Sequence, residues 1–344
     1  MPPSSSTAIL NQLVAGRSLD IEQSEQFVFQ IMEGQLSDAV IAGFLTAMAC
    51  KGPTAAELAG AARAMRSHVT PLAPKVSPLL DTCGTGGDGQ ATFNISTAAA
   101  IVIAAAGCHV AKHGNRSVTS LSGSADVLEA LGVRLDLPPA AIARCIDEVG
   151  IGFCFAPLFH GAMKHVAGVR KQLGIRTIFN LLGPLTNPAG AQHQVLGVSQ
   201  PHEAQLVAEA LSLLGTGRSA VICGDHIDEV SLWGETQVWL VEGREIEKLY
   251  WNASTFQLPK CGVEDLKVGN PQESAATIRE IFAGKGGAPH HMVVANAAVG
   301  LWLAGKSHDL ATAAKLASDV ISSGRAASQL QALADWTNQH ATGS

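Results

Sequence analysis

Leu79-Leu80-Asp81-Thr82-Cys83-Gly84-Thr85-Gly86-Gly87-Asp88-Gly89 is the stretch on which the fold turns. It begins as a β-like run and ends as a glycine loop, and an apolar helical stretch follows from Asn94 to Ala106. From here onward short β-like runs (Leu79 to Cys83, His109 to Lys112, Ile151 to Phe155, Gln194 to Val198, Ala220 to Cys223) alternate with helical stretches. That alternation is the signature of parallel strands joined by crossover helices. Glu229 to Leu232, Gln237 to Val241 and Glu245 to Tyr250 follow one another with no helix between, which predicts an attached antiparallel meander. The last third returns to Ala-rich helices. The fold class expected is α/β, a mostly parallel sheet flanked by helices, together with a smaller all-α domain.

That smaller domain lies upstream. From Thr7 to about Val69, Ala, Leu, Ile and Met recur at three- and four-residue spacings, the pattern of packed helices. Ser37 with Asp38 opens one helix, Gly52-Pro53 closes it, and Thr54 with Glu57 forms a capping box for the next. Pro71, Pro74 and Pro78 then read as a linker. A basic amphipathic helix, Ala162 to Gly174, interrupts the α/β region, and periodicity does not assign it to either domain.

Composition narrows the function. The 344 residues suffice for two domains, and only 15% are charged against about 25% in an average domain, so burial between domains or subunits is expected. Seven cysteines without a CxxC pair suit thiols of a reducing compartment rather than a disulfide scaffold or a zinc ribbon. A net charge of −6 has the wrong sign for a nucleic-acid binder, so any anionic ligand must be met locally. No apolar run approaches the roughly 20 residues that span a bilayer, and Met1 to Thr7 does not read as a secretory signal. A cytoplasmic protein with no nucleic-acid or membrane partner is expected.

Three strand-end loops carry the chemistry. In the first, Gly84, Gly86 and Gly87 let backbone N–H groups converge on an anion, and Asn94-Ile95-Ser96-Thr97 begins a helix. The spacing matches neither a P-loop nor a full dinucleotide fingerprint. A plain glycine turn, with Ser96 and Thr97 as N-caps, is the alternative. The second, Lys112-His113-Gly114-Asn115-Arg116-Ser117-Val118-Thr119-Ser120, combines two cations with an amide and hydroxyls, a composition for a polyanion. Consecutive βα units place such loops side by side at the carboxyl edge of the sheet, where open α/β sheets bind ligands. The third, Cys223 to Glu229, holds three carboxylates in five residues. Asp228 and Glu229 are the candidate Mg²⁺ ligands beside a phosphate, ahead of Asp225, and a solvated acidic turn is the alternative.

With these loops placed, the chain resembles the anthranilate phosphoribosyltransferases. The likeness runs through GTGGD (Gly84 to Asp88), NIST (Asn94 to Thr97), KHGNRSVTS (Lys112 to Ser120), Asp228-Glu229, and VRKQLGIRTIFNLLGPLTNP (Val169 to Pro188). It implies transfer of ribose 5-phosphate from phosphoribosyl pyrophosphate (PRPP) to the amine of anthranilate, with Mg²⁺, by a homodimer. The resemblance implies that Gly84, Gly87, Asp88, Thr92, Asn94 to Thr97, Lys112 to Ser120 and Ser124 hold PRPP. Ser96, Asp228 and Glu229 match the metal ligands, and Gly84, Asn115 and Arg170 the anthranilate contacts, Arg170 being suited to a carboxylate through its planar fork. It also implies a nucleoside-phosphorylase-like fold, with residues 1–75 and 162–190 as the helical domain and 79–161 and 191–340 as the α/β domain. Gly161 and Gly168 stand where many members have proline.

No Ser/His/Asp or Cys/His set stands out, and the chemistry implied does not need one. Lys112 and Arg116 are expected to offset the charge of departing pyrophosphate, and His113 to form a passive wall rather than a base. The rival enzyme on this architecture is a nucleoside phosphorylase; the rival from another class is a nucleic-acid binder.

Overall fold

Four helices open the chain in the computed structural model, which describes residues 5–117 and 121–341. They are α1 (Ser6–Val14), α2 (Ile21–Met32), α3 (Asp38–Lys51) and α4 (Ala55–Ser67). Gly52 ends α3 at a φ of 79°, while Ser37 at its start makes no side-chain cap hydrogen bond. The Thr54–Glu57 capping box forms. Glu57 is fully buried, accepts the Leu19 N–H at 2.9 Å and pairs with Lys51 at 2.8 Å, so one carboxylate fastens three segments of the bundle.

After the proline linker come β1 (Leu79–Gly84), α5 (Ile95–Ala105), β2 (His109–Gly114), α6 (Ser124–Ala130), α7 (Pro139–Val149) and β3 (Ile151–Phe155). The short helix α8 (Ala156–Phe159), then α9 (Lys164–Leu173) and α10 (Phe179–Leu182), lead to β4 (His193–Gly197), α11 (Pro201–Leu214) and β5 (Arg218–Cys223). Strands β6 (Thr236–Glu242) and β7 (Glu245–Trp251) form a hairpin, and α12 (Pro271–Phe282), α13 (Ala288–Leu303), α14 (Leu310–Ser322) and α15 (Arg325–His340) complete the described chain.

The seven strands form one sheet in the order β3-β2-β1-β4-β5-β6-β7, parallel from β3 to β5 and antiparallel at β6 and β7. Period-two alternation feeds two cores. On β5 and β6, Ala220, Ile222, Val238 and Leu240 face the layer of α5 and α12 to α15. Val221, Cys223, Trp239 and Val241 face the opposite layer, which α11 shares with the N-terminal bundle. Helix α9 packs on α2 and α3, and α10 on α4.

The expected strand at Glu229 to Leu232 does not form. Its backbone is served by side chains instead: Val230 N–H donates to Asn296 Oδ1 and Ser231 N–H to Thr236 Oγ1, each at 2.9 Å. Val230, Ser231 and Leu232 are buried, so their β-like composition reports a buried loop. The antiparallel meander is β5-β6-β7, with β5 in the place of the expected first strand. Among the described residues no helix is long and apolar enough to cross a membrane.

Candidate active site

Strand order reverses between β1 and β4, the switch point at which α/β sheets leave a crevice beyond their carboxyl ends. A cavity of about 760 Å³ lies there, lined by the loops after β1, β2, β3 and β5 and by α9 and α10. Two glycines let the acidic loop lie directly over the strand ends. A Cβ at Gly197 would collide with Asp228 O, and one at Gly84 would come within 2.5 Å of Asp228 Oδ2. Seated there, Asp228 Oδ2 accepts the Gly86 N–H at 3.0 Å, and Glu229 Oε1 accepts the Ser96 N–H at 3.0 Å.

Negative charge outweighs positive at this end. Burial and the neighbouring Asp88 push the Asp228 carboxyl up to about 7, and burial and Asp228 push Glu229 well above its usual range. Lys112 is the opposing cation; it is buried, donates to Thr82 O and, at 3.2 Å, to Thr82 Oγ1, and stands 3.5 Å from Ser96 Oγ. Its own pKa is lowered by burial, an effect opposed chiefly by Asp81. Among the described residues no three Asp, Glu, His or Cys side chains converge as a ready metal cage. An enclosed carboxylate pair with a hydroxyl nearby fits Mg²⁺, which takes one or two protein carboxylates and completes its shell with water and substrate oxygens.

Asn94 joins the two phosphate-type loops. Its Nδ2 donates to Ser122 O at 3.0 Å, and its Oδ1 accepts from Ser122 Oγ at 2.7 Å and Ser274 Oγ at 2.8 Å. Asp126 closes the second loop at its other end, accepting from Ser117 N and Gly123 N at 3.0 Å each.

The opposite wall comes from the bundle side. Arg170, half-buried on α9, has no carboxylate partner among the described residues, and its Cζ lies 5.6 Å from the Phe179 ring centroid. Burial lowers its pKa. Between Arg170 and the loops stand His113 and His160, their Nε2 atoms 3.1 Å apart. His113 Nδ1 faces the carbonyl of Gly183 at 3.1 Å, which only accepts, so Nδ1 carries the proton and Nε2 receives that of His160. Burial drives both neutral, with pKa values lowered to about 3 and about 4.

Of the residues singled out from sequence, Gly84, Gly87, Asp88, Thr92, Asn94, Ile95, Ser96, Lys112 to Ser117, Ser124, Arg170, Asp228 and Glu229 line this cavity. Val118, Thr119 and Ser120 lie outside the described residues. Thr97 does not reach the cavity: one position beyond Ser96 on α5 it turns into the core, 1% exposed. Arg116 lines the cavity while its guanidinium pairs with Glu129 and Asp126 and stacks 5.5 Å over Phe155. Asn94 likewise spends its side chain on Ser122 and Ser274. His160, Ser122 and Phe179 were missed. The strand-end argument applied to β3 finds Ala156 to Gly161; nothing in the sequence marks Ser274.

The chain matches the α/β domain of a glycosyl transferase family over residues 76–327 and that family's helical bundle domain over residues 7–69. It is 47% identical to the anthranilate phosphoribosyltransferase of Moorella thermoacetica over 97% of this chain and 99% of the relative. The chain belongs to the anthranilate phosphoribosyltransferase family. It is accordingly a transferase. The anthranilate phosphoribosyltransferase from Thermus thermophilus superposes with a TM-score of 0.90 at 43% identity, over 96% of this chain and 99% of that one. The anthranilate phosphoribosyltransferase from Saccharomyces cerevisiae, solved in complex with PRPP and Mg, gives 0.89 at 28% identity, over 98% and 100%.

Proposed function

We propose that this chain transfers the 5-phosphoribosyl group of PRPP to the amine of anthranilate, releasing pyrophosphate, as a step of tryptophan biosynthesis. The observation that carries this reading is the two-ended cavity, with amide-rich loops and a carboxylate pair at one end and, at the other, Arg170, which has no acidic partner among the described residues. PRPP lies along the loops after β1 and β2, and the anthranilate carboxylate meets the Arg170 fork. Asp228, Glu229 and Ser96 are the residues that would hold Mg²⁺, which when bound offsets the charge of pyrophosphate.

The anomeric carbon loses its bond to pyrophosphate and gains one to nitrogen, and the nitrogen sheds its proton to solvent water. Backbone amides of the β1–α5 loop stabilise the departing anion, and Lys112 holds the floor beneath it. Arg170 fixes the amine against the reacting carbon. His113 serves as a neutral wall, because its one lone pair is already taken. We place residues 162–190 with the N-terminal bundle, on which α9 and α10 pack, and read the protein as a cytoplasmic homodimer, consistent with its seven free cysteines.

The test is loss of anthranilate fluorescence on incubation with PRPP and Mg²⁺, beside incubation with thymidine and phosphate. Turnover of the first mixture alone is expected. Phosphorolysis of thymidine without turnover of the first would replace this reading with that of a nucleoside phosphorylase.

A further inference from the structure

Ser274 lies on α12, a helix that contributes no side chain to the cavity, yet it is fully buried and aimed at the cavity's frame. Its Oγ donates to Asn94 Oδ1 at 2.8 Å and accepts the Asn94 N–H at 3.0 Å. One hydroxyl thus fixes both the backbone and the side chain of the residue at the N-cap of α5. Asn94 makes no side-chain cap bond to its own helix. The amide is committed instead to Ser122, through its oxygen to the hydroxyl and through its nitrogen to the carbonyl. The chain of contacts runs from α12 through Asn94 to the loop before α6, and crosses both loops assigned to PRPP. The next two residues after Asn94 present Ile95 and Ser96 to the cavity, and the Ser96 N–H fixes Glu229.

We infer that Ser274 is a positioning residue for PRPP: it sets the relative placement of the two phosphate loops by holding Asn94, without touching substrate. This rests on the PRPP reading above. Two loops that must enclose one polyanion gain affinity from being fixed beforehand, since ordering them on binding costs free energy. A hydroxyl lost at position 274 leaves Asn94 Oδ1 with one donor and its N–H without this partner, at a half-buried position. The frame then loosens on the PRPP side alone, because Arg170 and Phe179 stand on α9 and α10, away from α12.

The experiment compares Ser274→Ala with Asn270→Ala. Asn270 caps α12 by accepting the Glu273 N–H at 2.9 Å, and no hydrogen bond joins it to Asn94 among the described residues, so its loss weakens the same helix without removing a bond to the loop. Steady-state kinetics with each substrate varied, and calorimetry with PRPP and Mg²⁺, give the readout. Ser274→Ala is expected to raise the PRPP KM and Kd about tenfold with the anthranilate KM within twofold, and Asn270→Ala to leave both KM values unchanged despite a lowered Tm. Equal PRPP weakening in the two variants, or a normal PRPP Kd in Ser274→Ala, overturns the inference. If Ser274→Ala does not fold, Ser274→Cys, which keeps the size and a weaker donor, is read by the same criteria. Failure of the unaltered protein to bind PRPP would instead overturn the functional reading, so the two failures are distinct.

Discussion

The Nε2 atoms of His113 and His160 stand 3.1 Å apart with a single proton between them. Both rings are buried and neutral, with pKa values lowered to about 3 and about 4 from an ordinary 6.5. A second proton would set two cations face to face. The unfolded chain takes up those protons near pH 6.5 and the folded chain does not, so the stabilising contribution is full above pH 6.5 and is lost as pH falls. By pH 5 the loss is about 2 kcal/mol for each histidine that stays neutral. Urea unfolding at pH 7.5 and pH 5 should show it. Buried carboxylates with raised pKa values act in the opposite direction, so the comparison is with His113→Asn/His160→Gln. The double variant should lose markedly less stability between the two pH values, and an identical loss would remove the pair from this role.

Arg170 meets no acid among the described residues, and its guanidinium is held near Phe179. Arg170→Ala should raise the anthranilate KM by roughly 30- to 150-fold, the equivalent of about 2–3 kcal/mol for a charge-assisted pair, and leave the PRPP KM within twofold. Arg170→Lys should recover little, since a point charge does not reproduce the fork. Equal weakening of both substrates would mean that Arg170 supports the cavity as a whole.

These assignments differ in how far they could be read beforehand. The sheet, its helices and the loops at its carboxyl edge follow from local signals: period-two runs, glycines after strands, and the Thr54–Glu57 box. What escaped depends on the third dimension. Glu229 to Leu232 has a strand's composition because it is buried, yet Asn296 and Thr236 take its backbone hydrogen bonds. Arg116 reaches the cavity as its loop suggests, but its pairing with Glu129, thirteen positions on, has no local signal. Ser274 is an unremarked serine whose importance arises from a contact 180 positions away. His160 was within reach, because the rule that located the loops after β1 and β2 extends to β3.

Asp228 and Glu229 enclose more negative charge than Lys112 offsets, a condition relieved when a divalent cation is bound. Asn at 228 and Gln at 229 keep the acceptors for the Gly86 and Ser96 amides and remove the charge. The double variant should lose activity by more than about a hundredfold and show no Mg²⁺-dependent Tm shift with PRPP. Without Mg²⁺ its Tm should be no lower than that of the unaltered chain, because like charges no longer repel in a desolvated place. A fully active double variant would refute the metal assignment.

Gly168 lies inside α9, two positions before Arg170, and a Cβ built there meets nothing within 4 Å. Its φ lies outside the left-handed region, so alanine fits the backbone without strain. Gly168→Ala should therefore stabilise the protein by about 0.5–1 kcal/mol, the helix-propensity difference between the two residues. Thermal unfolding reads this as a raised Tm. The consequence for the site is less direct. If backbone freedom at Gly168 lets Arg170 adjust to the acceptor, stiffening α9 should change the anthranilate KM by several-fold. The packing of α9 on α2 and α3 argues that the helix is already held, so the expected outcome is an anthranilate KM within twofold and a higher Tm. A several-fold shift in KM would show that the glycine tunes the carboxylate-binding wall.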